Sequence, residues 1–129
     1  MKDVRTLGIV GSGQMGSGIG QVAAQAGYSV ILYDITQPIV DRALDNLHRG
    51  MVRLTERGKL SEEEQRTILG RFRGTANMHD LRDADLIIEA APEDYELKKS
   101  IFQQLDTIAR PEVILASNTS SISLTQLGA

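Results

Sequence analysis

The chain has 129 residues, of which 14 are basic and 17 acidic, with no long run of either sign, and it contains no cysteine. This length suits one domain, and the charge balance argues against nucleic acid or an anionic membrane as a partner. Without cysteine and with two histidines, no metal site is expected, and without a signal peptide or a long apolar run the protein is predicted to be cytoplasmic.

The first recognisable element is a short apolar strand, residues 7–10, that runs into a glycine-rich turn. The turn reads GSGQMG and matches the G-x-G-x-x-G pattern. Its first glycine allows the tight turn, its second lets a pyrophosphate approach the backbone, and its third lets the next helix pack close to the sheet. Phosphates would contact the N-terminus of that helix. The candidate cofactor-binding residues of the turn are Gly11, Ser12, Gly13, Gln14, Met15 and Gly16.

A helix and a second strand follow the turn. The helix is predicted to end at Gly27 and to bury an apolar face at Met15, Ile19, Val22, Ala23 and Ala26. The strand, residues 28–33, ends at Asp34, eighteen residues after Gly16. This is close to the spacing of about 20 at which an acid accepts hydrogen bonds from the adenosine ribose. Because a carboxylate repels a 2′-phosphate, the predicted cofactor is NAD rather than NADP. FAD enzymes, methyltransferases and a turn used only for packing remain alternatives for this stretch.

Residues 36–73 are predicted to form a helical hairpin inserted after the second strand. Thr36 is a plausible N-cap of the first helix, and Gly58 ends it. A capping box at residues 61–64 begins the second helix, which is expected to continue to Arg73. The charged side of the first helix, which includes Arg42 and Arg53, is predicted to be a solvated face.

Strands alternate with helices in the remaining residues. Strands are predicted at 74–78, 85–91 and 113–116, a turn at 79–84, a helix with Leu97 and Ile101 on its inner side, and a further helix from Ser123. The predicted fold class is therefore α/β, a Rossmann-like parallel sheet with helices on both faces and a helical hairpin after the second strand. Ligands of such sheets bind beyond the carboxyl ends of the strands, which here are followed by residues 11–16, 34, 91–93 and 117–121.

Four segments of the sequence together resemble one family. They are GSGQMGSGIGQVAAQAGYSVILYD, ERGKL, DLIIEAAPEDYELKKSIFQQLD and ILASNTSSIS, and the similar family is the N-terminal NAD-binding domain of L-3-hydroxyacyl-CoA dehydrogenases, including 3-hydroxybutyryl-CoA enzymes. The resemblance covers essentially the whole chain, and ILASNTSSIS is its most specific part. It implies that Glu93 and Lys98 help hold the nicotinamide half of NAD. It also implies that Ser120, the candidate catalytic residue, lies between the cofactor and the substrate's 3-oxygen.

The same resemblance implies an acyl-CoA as the substrate partner. Family members hold coenzyme A with a serine and a lysine on the first hairpin helix, and this chain has Gly50 and Arg57 at those positions. The serine contact is therefore lost, and the cation is retained in kind, because arginine can also bind a phosphate. The candidate substrate-binding residues are Ser120, Asn118 and Arg57.

The resemblance further implies that residues 1–129 are an incomplete NAD-binding domain of a longer enzyme. The family's catalytic histidine has no counterpart here, since neither His48 nor His79 matches its position, and this chain alone is expected to be inactive. The parent protein would oxidise 3-hydroxyacyl-CoA to 3-oxoacyl-CoA in fatty-acid or butanoate metabolism and form a homodimer through a helical domain. Two alternatives are a stand-alone NAD-binding or regulatory module without turnover and a dehydrogenase for another hydroxy acid, such as a sugar acid.

Overall fold

The fold is a five-stranded parallel sheet in a computed structural model that describes residues 4–90, 100–101 and 103–104 and the backbone of residues 114–117. The strands are β1 (Thr6–Val10), β2 (Ser29–Tyr33), β3 (Phe72–Thr75), β4 (Leu86–Glu89) and β5 (Ile114–Ser117). They lie in the order β3-β2-β1-β4-β5, so β1 is central and pairs with both β2 and β4. The predicted parallel α/β sheet is confirmed.

The register of the strands brings the carboxyl ends of all five to one edge of the sheet. Val10, the last residue of β1, lies opposite Tyr33 of β2 and Glu89 of β4. Glu89 in turn lies opposite Ser117 at the end of β5. The glycine turn and Asp34, which directly follow β1 and β2, therefore begin beside each other.

The ends of two helices and the start of a third agree with the sequence signals. Helix α1 (Gln14–Gln25) is followed by Gly27 with a φ of 106°, and α2 (Gln37–Glu56) by Gly58 with a φ of 74°. Such positive φ angles suit glycine, which has no Cβ to clash with the backbone. Helix α3 (Glu62–Leu69) begins with a capping box in which the side chains of Ser61 and Glu64 each accept from the other's backbone N–H. The helical hairpin after the second strand is confirmed.

The boundaries around β3 differ from the prediction. Helix α3 stops at Leu69 rather than at residue 73, and β3 begins at Phe72 rather than at residue 74. Pairing with β2 decides this, because Phe72 lies opposite Val30 in the sheet. That partner lies too far away in the sequence for a local pattern to indicate it. The turn predicted at residues 79–84 lies largely in a 3₁₀ helix, Met78–Asp83, where the side chain of Asn77 accepts from the backbone N–H of His79.

Helical segments cover both faces of the sheet, as predicted. Alternate side chains of β2 point to opposite faces, so Val30 and Leu32 belong to one apolar cluster and Ile31 to another. The first cluster includes buried residues of α1, α2 and α3, and the second includes Leu81 of the 3₁₀ helix and Ile101, which is helical. None of the helices in the described part of the chain is long and apolar enough to cross a bilayer.

The buried face of α1 agrees with the prediction at Ala23 and, in part, at Ile19, but not at Met15, Val22 and Ala26. Met15 is 57% exposed and Val22 is 68% exposed, whereas the buried positions of this helix are Gly16, Gly20, Ala23 and Ala24. Small residues face the sheet because the helix approaches it closely. A Cβ at Gly20 would lie 3.1 Å from Cε1 of Phe72 and 3.4 Å from Cδ1 of Ile9.

Candidate cofactor site

The glycine turn is held in a conformation that two of its glycines make possible. Gly11 has a φ of 109°, and its N–H donates to the carbonyl oxygen of Tyr33 at 2.9 Å. A Cβ on Gly16 would lie 1.8 Å from the carbonyl oxygen of Gly11, which no side chain could accept. The first glycine therefore allows the turn, and the third allows the start of α1 to approach the end of β1. Both expectations from the sequence are confirmed.

The second glycine leaves open space at the start of α1. Gly13 is the N-cap residue of the helix, is exposed, and makes no side-chain cap. A Cβ built on it would meet nothing within 4 Å among the described residues. The first backbone N–H groups of a helix have no partner within the helix, and they carry its positive dipole end. This combination fits a phosphate group, and the described residues of the turn therefore suit the pyrophosphate of a dinucleotide.

The carboxylate of Asp34 is fixed directly against the glycine turn. Its Oδ2 accepts from the backbone N–H of Ser12 at 2.8 Å and from the Ser12 hydroxyl at 2.7 Å. Its Oδ1 accepts from the N–H of Ile35 at 2.8 Å. The predicted ribose-binding acid and the predicted phosphate-binding turn thus meet in one corner of the sheet. Burial, and then the negative charge of Asp34, raise the pKa of the neighbouring Tyr33 hydroxyl.

A polar groove of about 740 Å³ extends from this corner between α1 and α2. Besides the turn and Asp34, its lining includes Arg42, Asn46, Gly50 and Arg53 of α2. These four residues are spaced by four, four and three positions, which places them on one side of a helix. Arg42 and Arg53 are exposed, as predicted, but they also face a groove, which was not predicted. Their spacing was the signal that could have shown it.

A second, apolar groove of about 720 Å³ lies on the other side of α1. Its lining includes Met15, Ile19 and Val22 of α1, together with Leu7, Tyr28 and Leu86. Gln14 and Gly18 line both grooves, so α1 forms the wall between them. The exposed apolar residues that the sequence analysis expected in the core therefore share one surface of the described molecule.

Several predicted site residues cannot be placed. Glu93, Lys98, Asn118 and Ser120 lie outside the described residues, and their roles stay predictions. Arg57 is the exposed C-cap residue of α2, one turn beyond Arg53, and its contact with substrate also stays a prediction. His48 and His79 are exposed, as expected of surface groups. Among the described residues, no group of three His, Cys, Asp or Glu side chains is arranged to hold a metal ion.

Comparison with known proteins points to one family. Residues 6–129 match the model of the family described as "3-hydroxyacyl-CoA dehydrogenase, NAD binding domain". A probable 3-hydroxybutyryl-CoA dehydrogenase of Deinococcus radiodurans is 45% identical over 94% of this chain and 43% of its own length. A 3-hydroxyadipyl-CoA dehydrogenase of Escherichia coli is 43% identical over the whole of this chain and 27% of its own length.

Solved structures agree with this assignment. A crystal structure of a 3-hydroxybutyryl-CoA dehydrogenase of Escherichia coli has a TM-score of 0.94, with 43% identity over 99% of this chain and 27% of that one. An (S)-3-hydroxybutyryl-CoA dehydrogenase of Ralstonia eutropha has a TM-score of 0.92, with 42% identity over 97% of this chain and 44% of that one. The chain thus spans less than half the length of these relatives. The Rossmann-like sheet, the glycine turn joined to Asp34 and the match over residues 6–129 show that the chain belongs to the NAD-binding domain family of 3-hydroxyacyl-CoA dehydrogenases.

Proposed function

We propose that the protein containing this chain oxidises a 3-hydroxyacyl-CoA to the 3-oxoacyl-CoA, and that the described residues bind the adenosine and pyrophosphate parts of NAD. The observation that carries this proposal is the pair of hydrogen bonds between Ser12 and Asp34, which joins the phosphate-binding turn to the ribose-binding acid. The family match and the relatives' names support the reaction.

The described residues bind and orient the cofactor. Backbone N–H groups at the start of α1, beside Gly13, bind the pyrophosphate, and the Asp34 carboxylate accepts from the ribose hydroxyls. The negative charge of Asp34 also repels the 2′-phosphate of NADP. Bound NAD supplies the hydride-accepting ring, while the protein fixes where that ring lies. Glu93 and Lys98, which follow β4 in the sequence, are proposed to contact the nicotinamide half.

The substrate's coenzyme A part is proposed to contact α2. Arg57 is the candidate cation from the sequence, and Arg53 is added because it lines the polar groove together with Gly50. Arginine binds phosphate through two parallel N–H groups, so either side chain suits the phosphates of coenzyme A. Gly50 has no side chain to contribute, and a Cβ there would meet only the Arg53 guanidinium, at 4.0 Å.

Ser120 is proposed as the catalytic hydroxyl, with Asn118 beside it in the substrate site. Both follow β5, whose last residue, Ser117, lies opposite Glu89 in the sheet. A hydroxyl can donate to an oxygen that gains negative charge in the transition state. Ser120→Ala in the whole protein should lower kcat by more than about tenfold, or ~1.4 kcal/mol, and change NAD affinity much less. Ser121→Ala is the control, and equal wild-type rates in both variants would contradict the assignment.

The reaction is tested by following NADH formation in the whole protein with 3-hydroxybutyryl-CoA. We expect turnover with this thioester and none with free 3-hydroxybutyrate or a sugar acid, since those lack the coenzyme A that α2 would hold. Faster turnover of a free hydroxy acid would favour a different dehydrogenase. NADH binding without turnover of any substrate would favour a binding or regulatory module. The homodimer, the cytoplasmic location and the lack of nucleic-acid partners stay predictions from the sequence.

A further inference from the structure

The hydroxyl of Ser12 has a contact that the glycine pattern does not require. The pattern allows any residue between its first two glycines. Here that residue is 6% exposed, and its hydroxyl donates to Oδ2 of Asp34 at 2.7 Å, in addition to the backbone N–H at 2.8 Å. The Ser12 side chain is therefore buried and contacts Asp34, the acid that would bind ribose.

The hydrogen bonds around Asp34 fix both of its oxygens. Oδ2 receives the two donors of Ser12, and Oδ1 receives the N–H of Ile35 at 2.8 Å. An ionised carboxylate offers about four lone-pair positions, so three of these are used by the chain itself. One position on Oδ1 remains for a ribose hydroxyl.

We propose that Ser12 is a positioning residue that sets the preference for NAD over NADP by holding the Asp34 carboxylate against the glycine turn. This inference rests on the proposed binding of NAD. Hydrogen bonds to a charged group are stronger than those between neutral groups, so the hydroxyl restrains the carboxylate at the place where a 2′-phosphate would have to lie. Without the hydroxyl, the backbone N–H of Ser12 alone holds Oδ2, and the carboxylate can turn away from an incoming phosphate.

The test measures the dissociation constants of NADH and NADPH for the whole protein and its variants by fluorescence titration at fixed salt. Ser12→Ala should reduce the ratio of the NADPH constant to the NADH constant by about fivefold to tenfold, the latter corresponding to ~1.4 kcal/mol. Ser17→Ala is the matched control. Its hydroxyl donates to the Ser12 carbonyl oxygen at 2.9 Å and lies on the same groove without contacting Asp34. This control should leave the ratio unchanged, even if both affinities fall together.

A double-mutant cycle with Asp34→Ala separates an action through the carboxylate from a direct contact. If Ser12 acts through Asp34, Ser12→Ala in the Asp34→Ala protein should change the ratio by less than about twofold. The inference is overturned if Ser12→Ala alone leaves the ratio at the wild-type value. It is also overturned if the ratio falls equally in both backgrounds. Failure of the proposed function is a separate outcome, because the wild-type protein would then bind neither nucleotide.

Discussion

The two sides of α1 differ in chemistry although one short helix forms both. On one side, the polar groove contains Asp34 and two arginines of α2, and it begins at the glycine turn. On the other, Met15 and Val22 line an apolar groove at more than half exposure. Hydrophobicity alone did not decide which side of α1 packs on the sheet. The close approach of the helix decided it, because a Cβ at Gly16 or Gly20 would lie within 3.4 Å of Ile9 in β1.

The largest loss of NADH affinity and of stability is expected when Gly16, at the start of α1, is changed to alanine. Gly16→Ala places a Cβ at 1.8 Å from the Gly11 carbonyl oxygen, so the turn and α1 must separate. NADH affinity should fall by about a hundredfold, ~2.7 kcal/mol, and the midpoint of thermal unfolding should fall as well. Gly18→Ala is the control on the same helix, where a Cβ meets nothing within 4 Å. A Gly16→Ala protein as stable and as tightly binding as this control would contradict the expected geometry.

A smaller loss of NADH affinity is expected when Asp34, in the polar groove, is changed to alanine. Asp34→Ala should weaken NADH binding by about tenfold, since hydrogen bonds to a charged acceptor are worth roughly 1.5–3 kcal/mol. It should not weaken NADPH binding, because the charge that repels the 2′-phosphate is removed. Titration with both nucleotides at fixed salt measures this. Asp41→Ala removes the same charge from the exposed side of α2, where Nε2 of Gln37 donates to the carboxylate at 2.9 Å. If Asp41→Ala narrows the difference between NADH and NADPH affinity as much as Asp34→Ala does, the overall charge of the chain, and not the Asp34 contact, sets the preference for NADH.

Arg53, which lines the polar groove, is expected to contribute to substrate binding and not to cofactor binding. Arg53→Gln is expected to raise KM for 3-hydroxybutyryl-CoA by about threefold to fivefold in the whole protein, the size of one partly exposed charge contact, and to leave KM for NAD unchanged. Arg49→Gln is the control, because Arg49 lies on the same helix and pairs with Asp45 outside the groove. Equal kinetics of Arg53→Gln and the wild type would remove Arg53 from the substrate site.

The smallest effect is expected on the apolar side. Val22→Gln should change the free energy of unfolding of this chain by no more than about 0.5 kcal/mol, because Val22 is 68% exposed. Ala23→Gln, one residue along and 7% exposed, should cost more than about 2 kcal/mol, since the longer polar side chain does not fit against the sheet. Urea unfolding compares the two. Similar losses in both variants would mean that the apolar side of α1 is packed as tightly as its buried side.

The site was partly readable from the sequence because its signals are local. The glycine spacing, Asp34 at the end of a predicted strand, Gly27, Gly58 and the capping box at Ser61 each depend on a few neighbouring residues. All of these agree with the structure. The function of the whole protein and the roles of Glu93, Lys98, Asn118 and Ser120 came from resemblance, and they await the experiments above.

Other features needed the tertiary structure because their cause lies far away in the chain. The start of β3 at Phe72 is decided by pairing with Val30, and the exposure of Val22 by how closely α1 meets β1. The hydroxyl of Ser12 gained a role only when β1 and β2 brought it to Asp34, twenty-two residues later. The parallel α/β fold and the cofactor-binding turn could be predicted from the sequence, since periodicity and glycine spacing are properties of one segment. The buried side of α1 could not, because it depends on the distance between this helix and the sheet.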